Sequence, residues 1–356
     1  LSSACLVLVL AALPLMAACT PEPIPTPTPE PIPTPTPEKI VLTATSTWEK
    51  TYHQSASLLH FMDLVNERGK GRVEIQWKGG PELIKGKDQL DALGRGVMDI
   101  MCGSGDYFVG IVPHGAIMEM EAPHGVWSWD NEYELFHSGI NERLDEVYQE
   151  KANAKLLGYS HALPFYIFTA EKKVTSMADL KGLTIRAHGG AANVNVEALG
   201  ASAVKISSPE VYLALQTGVC EGALRSFAAV AQRKEFEVLN YAVNFCGLRG
   251  NAYHWMNLDK WNSLPEDIQE LLIECSAETD RWCSEVQGPQ VDAAARKTVL
   301  EQGLVITELA PDEASRWSEA ATDGEVSWFI EKAGEETGRP LVNMVFEEAK
   351  RLGLTE

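Results

Sequence analysis

From residue 39 onward, the chain alternates short runs rich in β-branched and aromatic residues with longer runs whose apolar residues recur at helical spacing. This alternation is typical of α/β architecture, and 356 residues are enough for two such domains. The pattern predicts strands at residues 40–45, 73–77, 98–102, 155–159, 166–169, 184–187, 204–206 and 253–256, and helices at 51–66, 88–93 and 131–151.

One predicted helix is much longer than the others. Its start is indicated by Ser263 as N-cap and Pro265 in the first turn, followed by two acidic residues. Its apolar stripe continues to Gly288 and Pro289, where a proline kink is expected, and then to about Leu300. A helix of about 50 Å is longer than one domain, so we expect it to span two.

The N-terminal residues carry export signals. An uncharged apolar run from Cys5 to Ala18 has the length of a signal-peptide core and is short for a membrane span. The residues before Cys19 are similar to a bacterial lipobox. Residues 1–19 are therefore predicted to be a lipoprotein signal peptide, with Cys19 lipidated as a membrane anchor. A secreted form cut elsewhere is the alternative.

Residues 20–38 form a proline-rich linker. Proline occupies every odd position from Pro21 to Pro37, a pattern that favours extended polyproline II and prevents helix formation. Directly behind a lipidated cysteine, this segment would be a stalk. The alternative is a proline-rich ligand for a partner domain.

Charge and motif content exclude several functions. A formal net charge of -20 argues against nucleic acid binding, which depends on Lys and Arg. No Gly-x-Ser-x-Gly, His-Glu-x-x-His or Cys-x-x-Cys motif is present, so we predict no enzyme, no cofactor and no metal site. An anionic ligand would have to be held by local positive charge against the overall field.

Two further segments carry a specific signal. Residues 179–186 read Asp-Leu-Lys-Gly-Leu-Thr-Ile-Arg, a short strand that ends on Arg186, and residues 210–218 read Glu-Val-Tyr-Leu-Ala-Leu-Gln-Thr-Gly, an amphipathic helix closed by glycine. Together they resemble the solute-binding proteins of tripartite ATP-independent periplasmic (TRAP) transporters, the DctP-type family.

This resemblance implies a two-domain α/β periplasmic-binding-protein (Venus-flytrap) fold with crossover strands and a long domain-spanning helix. The expected first domain comprises residues 39–163 plus 252–291, and the second comprises 164–251 plus 292–356. The protein would then be periplasmic, bind a small organic acid between the domains and deliver it to the TRAP membrane permease. We expect a monomer, because no long apolar stripe remains unassigned.

In this family, the arginine that ends the first motif binds a carboxylate of the solute, so Arg186 is the principal candidate. A planar guanidinium matches a carboxylate in bidentate fashion, although a structural salt bridge is the alternative. The other expected ligand-binding residues are Arg225, Tyr166, Trp48, Tyr107, Asn251, Trp255 and, with lower rank, His188. The aromatic members could instead form packing contacts.

Two other classes remain open from the sequence. A binding lipoprotein for an ABC importer or a sensor kinase would look the same, because the partner is not in this chain. A secreted hydrolase would differ by showing turnover that depends on one nucleophile. The sequence does not identify the acid.

Overall fold

The computed structural model describes residues 39–121 and 128–354, apart from the side chains of residues 161 and 162. The predicted signal peptide, the lipidated Cys19 and the proline-rich linker lie outside these residues. Within the described ranges, no helix combines the length and the apolar character that crossing a membrane requires.

A mixed sheet forms the centre of the molecule. Its order is β2-β1-β3-β9-β4-β7-β5-β6, with β8 paired to β4 and β10 paired to β8. The strands of the described residues are β1 (Ile40–Ser46), β2 (Val73–Gly79), β3 (Ile100–Gly103), β4 (Ala154–Thr169), β5 (Thr184–Ala187), β6 (Ser202–Lys205), β7 (Gly222–Arg225), β8 (Tyr241–Val243), β9 (Leu248–Asn257) and β10 (Val305–Thr307).

The sheet consists of two parallel halves joined by an antiparallel pair. In the first half, β1 runs parallel to β2 and β3, and in the second half β5 runs parallel to β6 and β7. Strands β9 and β4 are antiparallel to each other, and they connect β3 on one side with β7 on the other. The chain therefore crosses between the halves on these two strands, which confirms the two-domain α/β class.

Strand β4 is one continuous strand of 16 residues, where the sequence predicted two. Gly158 and Pro164 both lie within this strand. The structure accommodates both residues at register shifts of the β4–β9 ladder, which is where strands tolerate proline. Gly158 also allows the strand to lie close to Ser276, because a Cβ atom at residue 158 would be only 2.1 Å from Ser276 Oγ.

Helices cover both faces of the sheet halves. Those of the described residues are α1 (Ala56–Arg68), α2 (Gln89–Gly94), α3 (Trp129–Leu135), α4 (Asn141–Ala152), α5 (Met177–Leu180), α6 (Gly190–Ala198), α7 (Val211–Gln216), α8 (Phe227–Gln232), α9 (Leu258–Asn262), α10 (Glu266–Trp282), α11 (Gly288–Glu301), α12 (Pro311–Ala333) and α13 (Gly338–Arg351). The helix predicted at 131–151 is interrupted by a π-helical turn, in which Gly139 has a φ of 112°.

The long helix is present as α10 and α11, joined by a π-helical turn at Cys283–Gln287. This turn lies immediately before Gly288 and Pro289, where the sequence predicted a kink. The helix begins at Glu266 with Pro265 as N-cap, rather than at Ser263. Its first part packs on α1 and its second on α8, so it spans both halves of the molecule.

The apolar core has one part in each half and a larger part that both halves share. In the first half, Leu58 and Phe61 of α1 pack with Leu272 and Cys275 of α10. The C-terminal helices connect the halves, because α12 contacts α6 of the second half and the turn Pro113–Met118 of the first. The domain limits expected from the sequence, which gave residues 292–356 to the second domain alone, stay a prediction.

A buried histidine on β9 makes the stability of this core pH-dependent. His254 has no exposed surface, its Nε2 lies 3.0 Å from Ser57 Oγ, and burial lowers its pKa from 6.5 to about 3. As the pH falls below 6.5, the unfolded chain takes up a proton that the folded chain does not. Stability is therefore lost on acidification, by about 1.4 kcal/mol per pH unit at most for this residue.

We predict that His254→Gln reduces the loss of unfolding free energy between pH 6.5 and pH 4.5 by about 2 kcal/mol. Urea denaturation at both pH values measures this difference, and the comparison removes any constant cost of the substitution. His60→Gln is the control, since His60 is only partly buried and stacks on Trp282 with ring centroids 4.1 Å apart. An unchanged pH slope in His254→Gln would contradict the prediction.

Candidate functional site

A cavity of about 350 Å³ lies between the two sheet halves. The carboxyl ends of parallel strands from both halves point into it, which is where ligands bind in α/β folds. Its lining residues are Trp48, Tyr52, Gln54, Ser104, Tyr107, Glu119, Phe165, Arg186, His188, Ser208, Arg225, Gly250 and Asn251.

The first sequence motif folds so that Arg186 reaches this cavity. Asp179 accepts hydrogen bonds from the backbone amides of Thr175 (2.9 Å) and Ser176 (3.0 Å), which fixes the start of α5. Gly182 then turns the chain with a φ of 82°, a conformation that favours glycine, and β5 follows. Arg186 is the third residue of this short strand.

Arg186 is a buried cation that has no carboxylate partner among the described residues. Only 1% of its surface is exposed. Its Nε donates to the Ile206 carbonyl oxygen (2.9 Å) and its Nη1 to the Leu224 carbonyl oxygen (3.3 Å), and it forms no ion pair with a carboxylate of the described residues. Burial, aided by the nearby charge of Arg225, lowers the pKa of Arg186 to about 10, so the group remains protonated at neutral pH.

Arg225 is also buried, but its charge is neutralised within the protein. It donates two hydrogen bonds to Glu235, at 2.9 and 2.6 Å, and one to Ser208 Oγ at 3.0 Å. Burial opposes the charged form, yet the ion pair outweighs it and raises the pKa of Arg225. In this arrangement, Arg186 rather than Arg225 offers free positive charge to an anion.

Aromatic side chains form the walls around Arg186. The rings of Trp48 and Tyr107 have centroids 6.2 Å apart, and Trp48 also stacks on Tyr52 at 6.4 Å. On the opposite side, His188 lies 6.0 Å from Tyr107 and 5.4 Å from Phe165. These flat faces can enclose the apolar part of a ligand whose acid group binds Arg186.

Glu119 and His188 line the cavity, and the buried Asp106 lies directly behind them, with its Oδ2 3.5 Å from His188 Nε2. Burial raises the pKa of Glu119 to about 8, against the effect of hydrogen bonds from Ser104 and the Asp106 amide. Burial, followed by the proximity of Glu119, raises the pKa of Asp106 to about 7. His188 is kept neutral, because burial lowers its pKa to about 4.

Asp106 connects the two halves of the molecule. It follows β3 in the first half, and its carboxylate accepts hydrogen bonds from the amides of Ala191 (2.8 Å) and Ala192 (3.4 Å) at the N-terminus of α6 in the second half. A negative group at this end of a helix is electrostatically favourable. Gly190 allows the approach, because a Cβ atom there would lie 1.8 Å from Asp106 Oδ1.

The outer cleft, of about 1170 Å³, carries lysines on both sides. Lys85 and Lys87 come from the turn after β2, and Lys205 comes from the end of β6. All three are exposed, and none forms an ion pair within the described part of the chain. The positive charge around the cleft is therefore local and opposes the net charge of -20.

The structure brings together most of the residues predicted from the sequence. Those that line the cavity are Trp48, Tyr107, Arg186, His188, Arg225 and Asn251. Tyr166 and Trp255 do not. Successive residues of a strand point to opposite faces, so Phe165 faces the cavity and Tyr166 faces α11, where its hydroxyl accepts from Arg296 Nη2 (2.5 Å).

Trp255 lies in the core of the first half and not in the cleft. It is fully buried, with ring centroids 5.6 Å from Phe108 and 5.2 Å from both Tyr148 and Tyr253. Although it shares a face of β9 with Asn251, four residues of strand place it about 13 Å further along. The ring of Trp255 therefore packs in an aromatic cluster of the core and does not contact the cavity.

Sequence reasoning did not select several lining residues, among them Tyr52, Gln54, Ser104, Glu119, Phe165, Ser208 and Gly250. For two of them, the sequence contained a feature that could have indicated a role in the site. Glu119 is an acid that directly follows the apolar residues Ala116, Ile117 and Met118, and Phe165 is the neighbour of Tyr166 on the opposite face of the strand. Gly250 lies on β9, and the others lie in loops and short helical turns, whose approach to the site depends on the fold of distant segments.

Comparisons with known proteins agree with this geometry. The family model described as bacterial extracellular solute-binding protein, family 7 (DctP), matches residues 44–326. A solute-binding protein of Roseobacter denitrificans is 25% identical over 310 residues, which cover 84% of this chain and 88% of the relative. The C4-dicarboxylate-binding periplasmic protein DctP of Rhodobacter capsulatus is 25% identical over 276 residues, covering 74% of this chain and 78% of the relative.

A solved structure shows the same fold. The TRAP periplasmic solute-binding protein of Desulfovibrio salexigens with bound orotic acid superposes with a TM-score of 0.80 at 21% identity, covering 88% of this chain and 99% of that one. With a cavity between two α/β halves and a family match over most of its length, the chain belongs to the DctP family of bacterial extracellular solute-binding proteins.

Proposed function

We propose that this protein binds a small organic acid in the cavity between its halves, with a carboxylate of the acid held by Arg186. The observation that carries the proposal is the buried Arg186 guanidinium, which has no carboxylate partner among the described residues. A bidentate carboxylate would supply the missing negative charge in a geometry that matches the guanidinium. The orotic acid of the Desulfovibrio protein and the C4-dicarboxylates of the Rhodobacter protein are acids of this kind.

Arg186 alone does not account for useful affinity. A charge-assisted hydrogen bond contributes about 1.5–3 kcal/mol, whereas micromolar binding needs about 8 kcal/mol. The remainder would come from enclosure by the aromatic walls and from exclusion of water, which strengthens each hydrogen bond. Closure of the two halves over the acid meets both requirements.

The further parts of the proposal concern the membrane partner, the oligomeric state and the anchor. The protein would deliver its acid to a TRAP membrane permease as a monomer, and it would be held at the membrane by lipid on Cys19. We infer a receptor and not an enzyme, since the family consists of solute-binding proteins. A binding partner in an ABC importer or a sensor kinase is the alternative for the same site.

We predict that one class in a panel of hydroxy, keto, aromatic, sugar and dicarboxylic acids raises the Tm of the purified protein, because a ligand of the native state stabilises it by mass action. Arg186→Ala should weaken the affinity at least about tenfold, through loss of the carboxylate contact. Arg186→Lys keeps the charge but loses the planar guanidinium, so its affinity should lie between those of the wild type and Arg186→Ala.

Arg296→Ala is the matched control. Arg296 is a partly buried arginine outside the cavity, whose guanidinium lies 4.2 Å from the Phe227 ring centroid. The Arg296→Ala variant should show the same acid-induced shift in Tm as the wild type. Shifts that are indifferent to Arg186, or the absence of a shift with every acid, would refute the proposal.

A second prediction concerns the contact between Asp106 and α6. Gly190→Ala should displace the Asp106 carboxylate and favour separation of the halves, which raises the radius of gyration in small-angle X-ray scattering. Gly182→Ala is the control, since Gly182 also has a positive φ (82° against 50°) but has no atom within 4 Å of an added Cβ. Equal radii for the two variants would contradict a role of this contact in closure.

The lysines of the outer cleft should accelerate capture of the acid. We predict that replacing Lys85, Lys87 and Lys205 by Gln lowers the association rate constant several-fold at low salt and weakens its dependence on salt, with little change in dissociation. Stopped-flow tryptophan fluorescence measures both rates, because Trp48 lines the cavity. The control variant has Lys173, Lys181 and Lys350 changed to Gln and therefore the same net charge. Equal association rate constants in the two triple variants would show that the cleft lysines do not attract the acid locally.

A further inference from the structure

The segment after β1 supplies one wall of the cavity. Residues 48–54, which we call the aromatic turn, place Trp48, Tyr52 and Gln54 against the cavity. The segment folds back on itself, because the Tyr52 amide donates to the Glu49 carbonyl oxygen at 2.9 Å. The rings of Trp48 and Tyr52 also stack, with centroids 6.4 Å apart. Both rings therefore depend on one compact turn, and the groups that hold this turn also hold the wall.

Gln232, the last residue of α8 in the second half, binds the backbone of the aromatic turn. Its Nε2 donates to the Thr51 carbonyl oxygen (2.8 Å), and its Oε1 accepts from the His53 amide (3.4 Å). One carboxamide thus binds an acceptor and a donor that lie two residues apart, as the backbone of a neighbouring strand would. This pair of contacts depends on the shape of the turn, and it requires the two halves to lie close together.

Arg233, the next residue, contacts the side chains of the same turn. Its Nη2 lies 3.2 Å from Glu49 Oε2, and its guanidinium carbon lies 4.8 Å from the centroid of the Tyr52 ring. The Arg233 side chain is 20% exposed and that of Glu49 is 41% exposed, so the ion pair alone would contribute little. The attraction between the guanidinium and the face of the ring adds to it. Arg233 therefore fixes a ring that lines the cavity.

A third contact comes from the bend of the long helix. Gln287 is the last residue of the π-helical turn between α10 and α11, and its Nε2 donates to the His53 carbonyl oxygen (3.4 Å). The aromatic turn is thus bound both by α8 and by the point at which the long helix passes from one half to the other. Since α8 packs on α11, separation of the halves would break the contacts of Gln232 and Arg233.

Gln232 and Arg233 do not belong to the inner cavity. Neither is among the described residues that line the cavity of Arg186, although Arg233 lines the outer cleft. Their effect on a bound solute would therefore pass through the aromatic turn. The contact of Asp106 with the amides of α6 is a separate connection between the halves, so both connections have to open when the halves part.

We propose that Gln232 and Arg233 form a latch with the aromatic turn, which holds the two halves together part of the time in the free protein and retains the solute once it is bound. They are positioning residues, because they touch the wall and not the solute. The retention of the solute rests on the proposed function, whereas the contact between the halves does not. Contacts that form after entry slow release more than capture, so the latch should act mainly on the dissociation rate constant.

Amide hydrogen exchange of the full chain, followed by mass spectrometry without any organic acid, tests the latch. The readout is the peptide that contains Ala191 and Ala192, whose amides bind Asp106 at the other connection between the halves. Exchange there requires that connection to open. We expect it to be at least about threefold faster in Gln232→Met and in Arg233→Met, so the test does not depend on the folding of one variant. A merely local role would change exchange in the aromatic turn alone.

Two matched controls have the same chemistry within one half. Gln269 Nε2 donates to the carbonyl oxygens of Trp261 (2.8 Å) and Leu264 (3.3 Å) in the first half. The guanidinium carbon of Arg296 lies 4.8 Å from the Tyr166 ring centroid in the second half, the same distance as in the latch. Gln269→Met and Arg296→Met should leave the exchange of the α6 peptide unchanged.

A charge reversal tests the ion pair of the latch. Arg233→Glu places a second carboxylate beside Glu49, so it should speed exchange of the α6 peptide more than Arg233→Met does. Combination with Glu49→Arg restores an ion pair in the opposite direction and should slow the exchange again. No recovery in the double variant would overturn the contact between Arg233 and Glu49 as a part of the latch.

Equal exchange of the α6 peptide in the wild type, Gln232→Met and Arg233→Met overturns the proposal. The acid with the largest shift in Tm is then the probe for stopped-flow fluorescence. Both variants should raise its dissociation rate constant at least about threefold and change its association rate constant less than about twofold. A slower association in Arg233→Met, with no effect of Gln232→Met, would assign Arg233 to electrostatic attraction and overturn the latch.

The two measurements separate this inference from the proposed function. If the exchange responds to the latch variants but no acid raises the Tm, the latch stands and the acid receptor fails. If an acid binds through Arg186 but the exchange does not respond, the latch fails alone. Faster exchange together with faster release of the acid supports both.

Discussion

The antiparallel pair of β4 and β9 determines how the rest of the molecule is arranged. These two strands belong to both halves of the sheet, so they set the distance and angle between the parallel strands on either side. Their alternation also decides which side chains meet the cavity, as Phe165 and Asn251 do, and which enter a core, as Trp255 does. The position of the site is thus a consequence of strand pairing.

Within that frame, the cavity combines buried charges of both signs, and their pairing distinguishes their roles. Arg225 is satisfied by Glu235 and stabilises the second half from within. Within the described part of the chain, Arg186 donates to carbonyl oxygens and to no carboxylate, so its charge is incompletely stabilised. An incompletely paired charge is unfavourable for the free protein, and it provides specificity because a neutral ligand would leave it unpaired.

The parts of this picture that depend on local sequence were predictable. Alternating strands and helices, the long helix and Arg186 at a strand end are encoded in patterns of fewer than 40 residues. The missed features depend on distant segments. Glu119 meets His188 only after distant segments of the chain are brought together. The choice of Tyr166 rested on the family resemblance, and the orientation of its side chain depends on the register of the β4–β9 pair. Strand β7, Gly-Ala-Leu-Arg, contains no β-branched residue and was therefore missed.

The π-helical turn at Cys283–Gln287 has a mechanical consequence. Backbone hydrogen bonds are weakest at such a turn, and Pro289 just beyond it has no N–H group to donate. Bending of the long helix would therefore be concentrated between the segment on α1 and the segment on α8. The two halves could then turn about this point, so that the two faces of the cavity close on the solute from opposite sides.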